Sequence, residues 1–150
     1  EKKEFILNKD HYKKSIILIT GKNFGCGSSR EHAVWALKDF GIKCLIGSEF
    51  ADIFYNNCFK NGILPIILDK SYIDKITKKI SLEKTSTLSI DLENQIIIMD
   101  QNETVKFEID SYRKKCLLEG LDDVSLTLKK NDLINKYESN LKKKLTWLNK

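Results

Sequence analysis

The chain has 150 residues, 41% of them hydrophobic and 31% charged, with a formal net charge of +5. That is the size of one soluble domain with a core of its own. No apolar run approaches the 18 or so residues of a membrane helix, and Glu1-Lys2-Lys3-Glu4 does not open a signal peptide, so a cytoplasmic protein is expected.

Residues 15–20, Ser-Ile-Ile-Leu-Ile-Thr, read as a strand buried on both faces. A glycine-rich loop runs from Gly21 to Gly27. Ser28-Ser29-Arg30-Glu31 then reads as a capping box at a helix start, with Ala33, Val34, Leu37 and Phe40 at helical spacing and Gly41 closing the helix. The pattern repeats. Residues 42–46 form a second buried strand, Ser48 caps a second helix carrying Phe50, Ile53, Phe54 and Cys58, and Gly62 ends it. Residues 63–68 make a third strand, and Pro65, the single proline, implies either that it lies near an edge or that it starts at Pro65. Strand and helix alternate as β-α-β-α-β, which predicts a parallel sheet with right-handed crossovers.

Beyond Asp69 the pattern changes. Residues 72–82 read as a helix with Ile73, Ile76 and Ile80 on one face. Residues 88–90, 96–98 and 105–109 read as short antiparallel strands joined by turns at 91–95 and 101–103. Asp110 caps a helix with Tyr112, Cys116 and Leu117 that stops near Gly120, and Asp122-Asp123 reads as a turn or cap. Residues 133–148 form a lysine-rich terminal helix with Leu133, Tyr137, Leu141, Leu145 and Leu148 along one side. No linker or repeat interrupts the chain, so 1–150 reads as a single domain.

The basic charge does not point to nucleic acid. It rests almost wholly on lysine, with Arg30 and Arg113 the two arginines, whereas base readout favours the arginine fork. None of the four cysteines, Cys26, Cys44, Cys58 and Cys116, forms a C-x-x-C pair. Cys44, Cys58 and Cys116 read as buried thiols, and Trp35 and Trp147 as packing residues.

The chemistry gathers in the loop between the first strand and first helix. Unpaired N–H groups at a helix start attract an anion, Gly25 and Gly27 permit close approach or positive φ, and Arg30 adds a bidentate partner for a carboxylate or phosphate. The third glycine of a dinucleotide fingerprint and the Gly-Lys-Ser/Thr of a phosphate loop are both missing. On physics alone, a carboxylate and a phosphate both remain open. Ser28 and Ser29 each read as a cap, a nucleophile or a proton-transfer group whose anion the amides stabilise, and for Ser28 the capping box alone suffices. Cys26, near the expected helix start, is open to activation as a thiolate. No orienting group accompanies His32, which reads as a packing or hydrogen-bonding residue.

The run Asn23-Phe24-Gly25-Cys26-Gly27-Ser28-Ser29-Arg30-Glu31-His32-Ala33 resembles the signature of the small subunit of 3-isopropylmalate dehydratase, in the aconitase superfamily. The likeness continues through Ser48, Phe50-Ala51-Asp52-Ile53-Phe54-Tyr55 and Asn57, through Gly62-Ile63-Leu64-Pro65, and through residues 120–128. The resemblance implies an α/β fold like the swivelling β/β/α fourth domain of aconitase, here a βαβαβ core with a small antiparallel addition. It implies a hydro-lyase that interconverts 2-isopropylmalate and 3-isopropylmalate in leucine biosynthesis. It also implies a large-subunit partner that carries a 4Fe-4S cluster, with no cofactor bound by this chain, a small dicarboxylate substrate, and no nucleic acid or membrane partner. Within the site, Ser28 would be the base, and Arg30, Ser29 and Gly27 would bind substrate. The family's leading Asp-Thr-Asp segment has no counterpart before Ser15, so the chain reads as lacking it. The alternatives are a related dehydratase of the methylmalate or homoaconitate type and, from another class, a non-catalytic phosphate-binding module.

Overall fold

The computed structural model describes residues 4–82, 87–100, 103–145 and 147. The chain divides into two compact units, Glu1–Gly120 and Leu121–Lys150.

In the first unit, runs of isoleucine and leucine between glycine turns make three short strands, β1 (Ile17–Ile19), β2 (Cys44–Gly47) and β3 (Leu64–Ile67). They are parallel, in the order β1-β2-β3. Helix α1 (His32–Phe40) connects the first two strands and α2 (Asp52–Lys60) the next two, as the β-α-β-α-β pattern predicts. Gly41 closes α1 at φ +106°, its amide turned back to the Leu37 and Lys38 carbonyls. Pro65 lies on the outer strand β3. The amides of Leu64 and Leu68 donate to Lys43 and Gly47 across the sheet, so by alternation the Pro65 nitrogen faces the open edge, where no N–H is needed.

Alternation also sorts the core. Cys44 and Ile46 face one way and pack with Leu64, Ile66, Leu68, Ile73 and Ile76. Leu45 faces the other way, into Val34, Ile42, Phe50, Phe54, Cys58 and Ile63. Helices α1 and α2 therefore cover one face of the sheet. The other face is covered by α3 (Lys70–Leu82) and by an antiparallel sheet of β4 (Ser89–Asp91), β5 (Ile96–Asp100) and β6 (Glu103–Lys106), through Ile97, Met99, Val105 and Phe107. The central strand β2 is buried along its whole length. Strand β1 is only half-buried rather than covered on both faces as the sequence predicts. The expected turn at 101–103 falls partly outside the described residues.

The Asp110 carboxylate accepts the Arg113 amide at 3.0 Å and starts α4 (Ser111–Glu119), which ends at Gly120 with φ +62°. Arg113 then reaches α2. Its guanidinium lies 4.7 Å from the Phe59 ring centre and donates to Asn56 Oδ1 at 2.8 Å. Cys116 on this helix is half-buried rather than buried.

The second unit holds α5 (Asp123–Leu128) and α6 (Asn131–Lys144). The Asp122 carboxylate caps α5 by accepting the Ser125 amide at 2.7 Å. The apolar side expected along 133–148 is not a core face, since Leu133 and Tyr137 are exposed; Leu148 lies outside the described residues. Trp35 and Trp147, expected as packing residues, are exposed as well.

Candidate active site

The glycine loop leaves the C-terminal end of β1, the side of a parallel sheet where ligands bind in α/β proteins. Its shape is set by the segment that follows β2. Phe24 and Phe50 form a bridge, the Phe24 amide donating to Glu49 O at 3.3 Å and the Ala51 amide to Phe24 O at 3.0 Å. This pairing holds Phe50 and Ala51 extended, so α2 starts at Asp52 with Ala51 as a cap that makes no side-chain bond, and the expected Ser48 cap does not form. Gly25 adopts φ +88° and lies flat against Phe54 of α2; a methyl group in its place would overlap the ring. Asn23 is also left-handed, at φ +54°.

After Gly25 the chain makes two tight turns. The Cys26 amide donates to Asn23 O at 3.3 Å and the Ser28 amide to Gly25 O at 3.2 Å. Ser28 Oγ then accepts the Arg30 amide at 3.2 Å. The expected capping box is replaced by this local turn. Helix α1 begins at His32, and its cap residue Glu31 makes no side-chain bond to the helix. The Glu31 carboxylate instead accepts Asn61 Nδ2, at the far end of α2, at 2.8 Å. Arg30 therefore precedes the helix rather than lying in its first turn.

Gly27, Ser28, Ser29 and Arg30 come together as a continuous rim at the N-terminus of α1. Among the described residues, the amides of Gly27, Ser29, Glu31 and His32 have no acceptor in the protein, and the Arg30 guanidinium has no ion-pair or hydrogen-bond partner. Ser29 and Arg30 are exposed and Ser28 is half-buried. Unpaired amides, the positive end of the helix and a free guanidinium are each groups that attract an anion. On its inner side the rim borders an apolar hollow of about 440 Å³, where Gly27 and Ser28 meet Phe5, Leu7, Ala36 and Phe40.

Cys26 is exposed and lies well before the N-cap Glu31, outside the first turn where the helix field acts. The late helix start therefore removes the geometry expected to activate it. The His32 ring packs on Trp35, with centroids 4.6 Å apart. Cys44 and Cys58 sit in separate core clusters, and burial pushes both thiols up to about 12. Among the described residues no group of three or more His, Cys, Asp or Glu is placed to hold a metal ion. Among the described residues the four cysteines, two of them in separate core clusters, do not form the ligand set of an iron–sulfur cluster. Sequence reasoning missed the Phe24–Phe50 bridge and the Glu31–Asn61 bond, both of which join residues far apart in the chain.

The aconitase C-terminal domain family matches residues 1–71, just under half of the chain. Relatives described as 3-isopropylmalate dehydratase small subunits cover nearly the whole chain. The one from Rhodospirillum rubrum is 55% identical over 148 residues, 99% of this chain and 72% of its own length. That from Azorhizobium caulinodans is 55% identical over 145 residues, 97% of this chain and 72% of its own. A crystal structure of a 3-isopropylmalate dehydratase from Methanocaldococcus jannaschii superposes with a TM-score of 0.59 at 35% identity, over 81% of this chain and 68% of that one. The chain belongs to the 3-isopropylmalate dehydratase small-subunit family.

Proposed function

We propose that the chain acts in the cytoplasm as the small subunit of 3-isopropylmalate dehydratase, interconverting 2-isopropylmalate and 3-isopropylmalate in leucine biosynthesis. The observation that carries the site assignment is Ser28 Oγ accepting the Arg30 amide at 3.2 Å on a rim of unpaired amides. A serine hydroxyl is a weak base; the amide donated to its oxygen favours the anion that makes it one, against the hydroxyl's own long bond to the Arg30 carbonyl at 3.4 Å. Ser28 takes the proton from the carbon beside a substrate carboxylate, a carbon–carbon double bond forms, and the hydroxyl on the neighbouring carbon leaves. Returning the proton and the hydroxyl of one water with their positions exchanged gives the isomer. The Arg30 guanidinium holds a carboxylate in bidentate fashion, while Ser29 and Gly27 offer their amides to the same group.

The partner in this reading is the large subunit, named by implication in the description of the relatives as small subunits. A 4Fe-4S cluster, which would act as Lewis acid toward the leaving hydroxyl, is assigned to that subunit. Among the described residues no helix is long and apolar enough to cross a membrane.

The test is reconstitution with a cluster-loaded large subunit and a panel of 2-isopropylmalate, methylmalate and homoaconitate. Isopropylmalate should be the preferred substrate. Ser28→Ala should lower kcat by about a hundredfold or more, the usual weight of a positioned base. Arg30→Lys should raise KM by about tenfold, because a point charge replaces the fork. Near-normal kcat in Ser28→Ala would remove Ser28 from the base role, and an unchanged KM in Arg30→Lys would remove Arg30 from the carboxylate site.

A further inference from the structure

Glu31 follows Arg30 directly, and a carboxylate so close to a guanidinium is the natural competitor for any anion that Arg30 is meant to bind. In the structure it is not free to compete. The side-chain amide of Asn61 donates to Glu31 Oε1 at 2.8 Å and to the Asn57 carbonyl at 2.9 Å. Both Glu31 and Asn61 are half-buried. Asn61 is itself anchored as the C-cap of α2, its backbone amide directed at the Asn57 and Cys58 carbonyls at 3.2 and 3.1 Å. The donor that holds Glu31 is therefore a fixed point of the fold rather than a mobile surface group. Arg30, one residue earlier, has no ion-pair or hydrogen-bond partner among the described residues.

We propose that Asn61 is a positioning residue of the active site, holding the Glu31 carboxylate away from Arg30 so that the guanidinium remains available to the substrate carboxylate. The proposal rests on the reading of Arg30 given above. It explains why Glu31 forgoes the capping-box role its spacing predicts. It also explains why the link runs to the far end of α2, since a bond to a donor there draws the carboxylate off the loop. Released from Asn61, Glu31 would pair with Arg30, and substrate would have to displace it. Charged hydrogen-bonded pairs of this kind resist displacement.

The experiment is steady-state kinetics on the reconstituted two-subunit enzyme with 2-isopropylmalate. Asn61→Asp sets two carboxylates against each other and releases Glu31. KM should rise by about tenfold, the weight of one hydrogen bond to a charged group, with kcat nearly unchanged. Adding Glu31→Gln to Asn61→Asp rebuilds the bond with its direction reversed, the introduced amide on the loop donating to the introduced carboxylate on α2, and removes the competing charge. This double variant should recover KM to within about threefold of the parent. A merely structural link would lower thermal stability and kcat without this KM pattern. Parent-like KM in Asn61→Asp, or a double variant with KM still raised, would overturn the proposal. If Asn61→Asp does not assemble, the double variant decides alone on the same criterion. A parent complex inactive on every malate-type acid would instead overturn the proposed function, so the two failures are distinguishable.

Discussion

Replacing Gly25 with alanine should be among the most damaging single changes in the first unit, for two separable reasons. At φ +88° the residue occupies backbone space where a side chain is strained, at a cost of about 1–3 kcal/mol. The new methyl would also lie 2.7 Å from Cδ1 of Phe54 and closer still to its Cβ and Cγ. Phe54 is 2% exposed and packed among Val34, Phe50 and Cys58, so its ring has nowhere to go, and overpacking of this kind costs about 1–3 kcal/mol more. The sum is about 2–6 kcal/mol, or roughly 4–24 °C in Tm for a chain of this size. Gly41 is the internal control. Its φ is +106° and a methyl there meets nothing within 4 Å, so Gly41→Ala should show the backbone cost alone. Urea unfolding of the three proteins, followed by circular dichroism, gives both numbers. If Gly25→Ala is no less stable than Gly41→Ala, the contact between loop and helix does not shape the site as argued.

Thiol labelling of the native chain should modify exposed Cys26 first, with half-buried Cys116 slower. Cys44 and Cys58, held protonated by burial with their thiols pushed up to about 12, should react only on unfolding, and peptide mapping that finds all four labelled at one rate would contradict this. Glu103 receives Lys75 Nζ at 2.5 Å and Lys79 Nζ at 3.0 Å, and these bonds, Lys75 first, hold its carboxyl below the usual glutamate value. A depressed native value means that this stabilising contribution is complete above the unfolded-state value and is lost as pH falls through the native one. An NMR titration should therefore find Glu103 ionising below an ordinary glutamate, and Lys75→Ala should move it up; no movement would show that the ion pair is not formed in solution. Asp122 is lowered through its bonds to Ser125, so the Ser125 amide signal should shift as Asp122 titrates below the ordinary aspartate range, and Asp122→Ala should abolish that shift.

Much of this fold was legible because its signals are local. Buried runs of isoleucine, glycines at helix ends and Asp110 at a helix start each act within a few residues, and each appears where the spacing puts it. The start of α1 was not legible. Ser28 and Glu31 have capping-box spacing, but the backbone around them is bent by the Phe24–Phe50 bridge and by Asn61, partners that come close only after the parallel sheet forms. The same bridge displaced the Ser48 cap. Helical spacing made Leu133 and Tyr137 look like a core face because a pattern reports that a side is apolar, not whether anything in the same unit covers it. Within the site, Gly27 to Arg30 could be found from glycine, serine and arginine at a helix start, whereas the Glu31–Asn61 bond has no signature in spacing.

The placement of Pro65 has a consequence for how the molecule behaves at high concentration. An outer strand is a template on which another chain can build, provided that it offers a row of alternating donors and acceptors. In β3 the backbone groups that face outward belong to Pro65 and Ile67, and only Ile67 has an N–H to give. A strand arriving from a neighbouring molecule would find the ladder broken at its first rung. On this side the sheet resists growing into an aggregate, and a Pro65→Val change would restore the missing rung while leaving the parallel pairing with β2 untouched.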